Sequence, residues 1–172
     1  MRASDPKGGN QDRPVLILGA RSDMALALAH DLAKRGHPLQ LALRDPAGAA
    51  RDRADLATRH GVPVSVHAYD ALAPAEIAVP ALLAELPAPP RIALSAVGPL
   101  GDPDFDAADP ARARLVIDSN FTGPALALEI IAARMVAGGE PCAVIGFGSV
   151  AGDRGRAKNY VYGAAKAGFA AY

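Results

Sequence analysis

The sequence predicts an α/β fold, a doubly wound parallel sheet with helices on both faces. Three observations predict it. Short apolar runs alternate along the chain with segments of helical period. Those runs are short and mostly apolar and are read as lacking in–out alternation, as strands covered on both faces do. Glycine or an Asp-Pro pair repeatedly stands where one element should give way to the next.

Taken in order, Pro14 to Leu18 is a strand that ends at Gly19. Ala25, Leu28, Ala29 and Leu32 fall at i, i+3, i+4 and i+7, so Met24 to Arg35 is a helix, with Gly36 placed for a left-handed C-cap. Leu39 to Leu43 is a second strand. Asp45 and Pro46 form an N-cap and first-turn pair for a helix that Gly61 ends. Val62 to Ala68 is a third strand, Pro74 to Leu86 a helix, and Ile92 to Val97 a fourth strand. Asp109 and Pro110 open a long helix running towards Gly138. Cys142 to Phe147 is a fifth, buried strand, and a last helix begins near Lys158. The prolines from Pro87 to Pro90 make a loop inside the domain, because the strand–helix rhythm resumes beyond them. The organisation is one domain, 13–172, behind a flexible tail, 1–12.

Composition narrows the function. The chain has 172 residues, 51% of them apolar, which is enough to bury a core. Its 18 basic and 18 acidic residues balance, giving no reason to expect nucleic acid or an anionic membrane as partner. No run approaches the roughly 18 uninterrupted apolar residues of a membrane span. Met1 to Asp12 lacks the apolar stretch of a secretory signal. The lone Cys142, read as an inert thiol, fits a reducing cytoplasm. His30, His37, His60 and His67 show no metal-ligand spacing and are read as surface or core-edge residues, so no metal is expected.

In a sheet of this kind the turn after the first strand is where a dinucleotide pyrophosphate meets the N–H groups of a helix. Here it reads Gly19-Ala20-Arg21-Ser22-Asp23-Met24-Ala25, without the G-x-G-x-x-G spacing. Gly19, Arg21, Ser22, Asp23 and Met24 are the candidate contacts. Asp23 is read as the helix N-cap; the alternative is a carboxylate that weakens dinucleotide binding. An acid at the end of the second strand selects NAD, and an arginine accommodates the 2′-phosphate of NADP. Leu43 and then Arg44 stand there, with Arg21 as a second cation, so NADP(H) is expected. Asp45 keeps NAD(H) as the alternative.

The last third of the chain carries the chemistry. Tyr162 and Lys166 are four apart, one turn from each other on a helix face. A fixed ammonium beside a phenol favours the phenolate, so such a tyrosine can exchange a proton with an alkoxide or alcohol. Ser149, at the end of the fifth strand, is placed to polarise a carbonyl. Asn120 lies in Asn120-Phe121-Thr122-Gly123-Pro124, a set of poor helix formers inside an apolar helical pattern. Without that context, Tyr162 and Lys166 would be an ordinary surface pair.

These segments resemble the short-chain dehydrogenase/reductase family, and the resemblance covers Arg13 to Tyr172. The family's G-x-x-x-G-x-G motif keeps its first glycine as Gly19, with Asp23 in second place and Ala25 in third. Where the family has Asn-Asn-Ala-Gly this chain reads Ser95-Ala96-Val97-Gly98, keeping only Gly98. The resemblance implies a Rossmann fold and a catalytic tetrad of Asn120, Ser149, Tyr162 and Lys166. It implies adenine contact by Asp70, and cofactor contact by Gly98, Tyr162 and Lys166. The implied reaction is hydride transfer between NADP(H) and a small-molecule carbonyl or alcohol, in a homo-oligomer, dimer or tetramer. In the family, segments after the tyrosine helix shape the substrate site. This chain ends inside a helix pattern, so a C-terminally incomplete fold, unstable or inactive alone, is expected. The rival readings are a non-catalytic nucleotide sensor or scaffold, a sugar-nucleotide epimerase, and an inactive reductase fragment.

Overall fold

The computed structural model describes residues 13–102 and 108–172; the expected tail, 1–12, lies outside the described residues. Five strands form one sheet: β1 (Val15–Leu18), β2 (Leu39–Leu43), β3 (Val64–Ala68), β4 (Ile92–Ser95) and β5 (Ala143–Gly146). Their order is β3-β2-β1-β4-β5 and every neighbouring pair is parallel. Seven α-helices accompany them among the described residues: α1 (Asp23–Lys34), α2 (Ala50–His60), α3 (Ala75–Glu85), α4 (Pro110–Ile117), α5 (Gly123–Ala137), α6 (Val150–Asp153) and α7 (Tyr160–Ala171). The predicted doubly wound sheet is present. The chain steps outward from β1 to β3, then returns to place β4 on the other side of β1. That reversal opens a crevice at the carboxyl ends of β1 and β4.

Continuous apolar strands follow from two covered faces. Val15 and Ile17 pack with Ala25 and Ala29 of α1 and Leu56 of α2. Leu16 and Leu18 face the other way, towards Val79 and Leu82 of α3, Ala127 and Ile131 of α5, and Phe169 of α7. Each fully buried Val, Leu or Ile side chain among them contributes on the order of 1.5–3 kcal/mol.

Helix α1 shows how local residues set the elements. Ser22, in an extended conformation, accepts the Ala25 N–H on its Oγ at 3.1 Å. It is the N-cap, so the expectation for Asp23 is corrected: Asp23 lies inside the first turn, where its charge complements the helix dipole. At the other end Gly36, at φ +93°, lets its own N–H reach Ala33 O and the His37 N–H reach Leu32 O, a Schellman closure. Removing the cap with Ser22→Ala should lower stability by about 1 kcal/mol, read from denaturant melts; an unchanged midpoint would contradict it. Asp45 does open the next helix, but through a 3-10 turn at Ala47–Ala49, with its carboxylate accepting the Gly48 N–H at 3.2 Å. Gly61 ends α2 at φ +69°, as expected.

Two elements differ from expectation. The long helix from Asp109 is interrupted by a π turn at Asp118–Thr122, which absorbs the Asn-Gly-Pro irregularity. Residues Pro110–Ala137 are long and apolar enough to cross a membrane by length and composition. Ala125, Ala127, Leu128, Ile131 and Met135 of this stretch are buried against the sheet, so its apolar character is that of a core helix. Finally, β5 was expected to be buried, yet Val144 and Ile145 are each 42% exposed. Among the described residues it pairs only with β4, and Cys142 just before it is half-buried.

Candidate active site

The carboxyl ends of β1 to β4 open on one cavity of about 640 Å³. Gly19, Arg21 and Ser22 line it after β1, and Leu43, Arg44 and Asp45 after β2. Tyr69 to Leu72 line it after β3, and Ala96 to Pro99 after β4. The fifth lining segment is Arg112, Leu115, Val116 and Ser119.

The glycine turn lies hard against the β4 loop. Gly19 has φ +76°, and a Cβ there would come within 2.9 Å of Val97 N, so only glycine brings the two backbones together. Arg21 reaches Asp45 at 3.9 Å across an exposed pair that adds little stability. The Asp45 carboxylate lies towards Arg21 and accepts the Gly48 N–H at 3.2 Å. Arg44 is exposed and has no ion-pair partner among the described residues. Asp70 accepts the Leu72 N–H at 3.0 Å, shaping the turn after β3. The Tyr69 phenol beside it is buried, and burial together with the Asp70 charge pushes its pKa up, so it stays protonated.

Of the residues singled out from the turn and strand ends, Gly19, Arg21, Ser22, Arg44, Asp70 and Gly98 come together around this cavity. Asp23 and Met24 do not line it; both are exposed on the first turn of α1. The wall from α4 was missed. Arg112, Leu115, Val116 and Ser119 recur at i, i+3, i+4 and i+7, so one helical face was legible. Nothing local says that this face looks onto a cavity.

A second cluster adjoins the first at Gly98. Asn120 is fully buried in the π turn, and its Nδ2 donates to Pro99 O at 2.9 Å and Val116 O at 3.0 Å. Its Oδ1 is buried without a partner and lies against Gly98. Lys166, 3% exposed, donates from Nζ to Phe147 O at 3.1 Å and Val97 O at 3.3 Å. Burial lowers its pKa, and among the described residues no carboxylate contacts its ammonium. Gly98 has φ +141°, and a Cβ there would overlap Asn120 Oδ1 and stand 3.0 Å from Lys166 Nζ.

Tyr162 is half-buried in the first turn of α7, with Lys166 Nζ 6.0 Å from its ring centroid. Ser149 caps α6, its Oγ accepting the Ala151 N–H at 3.2 Å. Helix α6 was not foreseen, since four residues carry no readable period. It presses on α7 closely: a Cβ on Gly163 would meet Ala151 O at 2.6 Å, and one on Gly152 would meet Ala167 N at 2.9 Å. Two glycines thus set the spacing between the helix that Ser149 opens and the helix that carries Tyr162 and Lys166.

Residues 13–172 match the sequence profile of the short chain dehydrogenases. The chain belongs to that family. A short-chain dehydrogenase fold is also what solved structures share with it. One from Sphingobium yanoikuyae, in complex with NADPH, is 29% identical with a TM-score of 0.79, over 91% of this chain and 61% of that one. A 3-oxoacyl-[acyl-carrier protein] reductase from Brucella melitensis, in complex with NAD, is 24% identical with a TM-score of 0.77, over 92% of this chain and 64% of that one. A curated relative from Mycobacterium tuberculosis, named an uncharacterized oxidoreductase, is 37% identical over 90% of this short-chain dehydrogenase chain. The chain spans 62% of that relative's length.

Proposed function

We propose that this chain forms the cofactor-binding and catalytic part of a carbonyl reductase or alcohol dehydrogenase that uses NADP(H). The observation that carries the reading is the meeting of Asn120 and Lys166 at Gly98, on the rim of the cavity, with Tyr162 one turn from Lys166. Among the described residues the buried ammonium is held by backbone carbonyls alone, a costly arrangement of a kind that concentrates at functional sites.

The cavity residues fit a dinucleotide. Gly19 and Gly98 leave backbone where a Cβ would intrude, Asn120 Oδ1 is a buried acceptor without a partner, and Arg21 and Arg44 offer guanidinium groups. Gly19, Arg21 and Ser22 would hold the pyrophosphate, Asp70 the adenine, and Arg44 the 2′-phosphate, with Gly98, Tyr162 and Lys166 on the nicotinamide side. When bound, the nicotinamide exchanges a hydride with the substrate carbon. The protein moves the proton: the Tyr162 hydroxyl gives it to the substrate oxygen during reduction and takes it back during oxidation. Ser149 Oγ donates a hydrogen bond to the same oxygen. Lys166 places positive charge beside the phenol, stabilising its anion, and Asn120 supports the lysine side of the proton path. The same reading assigns the whole protein to the cytoplasm, as a homo-oligomer acting on a small molecule.

Arg44 supports NADP over NAD, since Asp45, the acid that would favour NAD, is turned to Arg21 and Gly48. Fluorescence titration should give tighter binding of NADPH than NADH. Arg44→Ala should weaken NADPH about tenfold, roughly 1.4 kcal/mol, and leave NADH unchanged. Tighter NADH binding by the unaltered protein would reverse the cofactor assignment. Binding of NADPH with no turnover across a panel of ketones and aldehydes would favour the nucleotide sensor instead.

A further inference from the structure

We propose that His30 and His60 form a two-histidine site for a first-row transition ion, of the Zn²⁺, Ni²⁺ or Cu²⁺ class, that ties α1 to α2. The thirty-residue separation gives no ligand pattern in sequence, and helix packing creates one. His30 Nδ1 lies 2.9 Å from His60 Nε2, with the rings edge to face at 66° and their centroids 5.2 Å apart. Imidazole nitrogens bind such ions at about 2.0–2.1 Å, so two on one ion stand roughly 2.9–3.4 Å apart for angles between octahedral and tetrahedral. The observed separation already matches the lower end.

The surroundings set the tautomers. Asp55 Oδ2 stands 3.6 Å from His30 Nε2, an ion-pair rather than a hydrogen-bond distance. The carboxylate is itself held by Arg59 at 2.7 and 3.1 Å. It favours the His30 proton on Nε2, which leaves the Nδ1 lone pair towards His60. His60 then donates its Nε2 proton to that lone pair. An ion held at about 2.0–2.1 Å sits beside the line joining the two nitrogens, both rings turning their lone pairs towards it, and it displaces this proton, which His60 carries on Nδ1 instead. A carboxylate behind a ligating histidine is the usual outer-sphere support of such a ligand. Arg59 and Lys34 are the nearby cations that oppose binding. Among the described residues no group of three or more His, Cys, Asp or Glu side chains could hold a metal, so water completes the sphere. The His30 side chain is 38% exposed, and solvent reaches it. Hard ions such as Mg²⁺, which prefer oxygen, are excluded.

The test uses the full chain without a histidine tag, stripped of metal, in thermal melts with ZnCl₂, NiCl₂ or MgCl₂. Zinc and nickel should raise Tm by about 3–6 °C, and magnesium should not. His30→Gln and His60→Gln should each abolish the rise. No rise, or an equal rise in the double variant, overturns the site. One equivalent of Cu²⁺ gives an independent reading by electron paramagnetic resonance, which should report two imidazole nitrogens, and fewer in His60→Gln. An unchanged signal in that variant overturns the site too. Neither result depends on cofactor binding or turnover.

Discussion

Adding one methyl group at Gly98 is expected to displace Asn120 and Lys166 together, lowering stability by about 3 kcal/mol and removing most turnover of the full protein. Two costs combine. A side chain at φ +141° is strained by on the order of 1–3 kcal/mol. Overpacking against Asn120 Oδ1 and Lys166 Nζ adds roughly 1–3 kcal/mol. The neighbours have little room to yield. Val97 accepts from Lys166 and lies against Gly19, while Pro99 accepts from Asn120. Gly148→Ala is the control, because a Cβ there meets nothing within 4 Å. Equal denaturation midpoints for the two variants would show that the Gly98 contact is not the constraint described.

The second expected result is that Tyr162→Phe in the full protein abolishes nearly all turnover, a loss of at least about 10²–10⁴-fold, while NADPH affinity changes less than about threefold. The substitution keeps the ring and removes only the hydroxyl, so packing on α7 and the melting temperature should stay as they are. A general acid that is removed without disturbing its surroundings lowers kcat and kcat/KM together. Turnover near that of the unaltered enzyme would dismiss Tyr162 as the proton donor, whatever the fate of the cofactor assignment.

The elements that were legible carry their own local causes. Strand β1 is uniformly apolar because both its faces are covered, Gly36 and Gly61 mark helix ends through their positive φ, and Asp109 marks one through its side-chain cap. The Asn120 irregularity was visible as a breach of helix propensity, and it became a π turn. What was illegible depends on contacts distant in sequence. The choice of Ser22 over Asp23 as cap turns on the exact path out of Gly19. The exposure of β5 depends on its place in the strand order. The wall from Arg112 to Ser119 becomes part of a cavity only after α4 comes to rest over the strand ends. The nearness of His30 to His60 likewise exists only once α1 lies beside α2.

The ammonium of Lys166 bridges two strand ends, taking Val97 O from the loop after β4 and Phe147 O from the end of β5. Its position therefore registers whether those two strands remain zipped. Separation of β5 from β4 would carry the Phe147 carbonyl away and leave the ammonium on Val97 O. Local opening there would move the ammonium while β1 to β3 stayed paired, so amide exchange at Phe147, whose N–H is held by Ser95 O, should run ahead of exchange in β1.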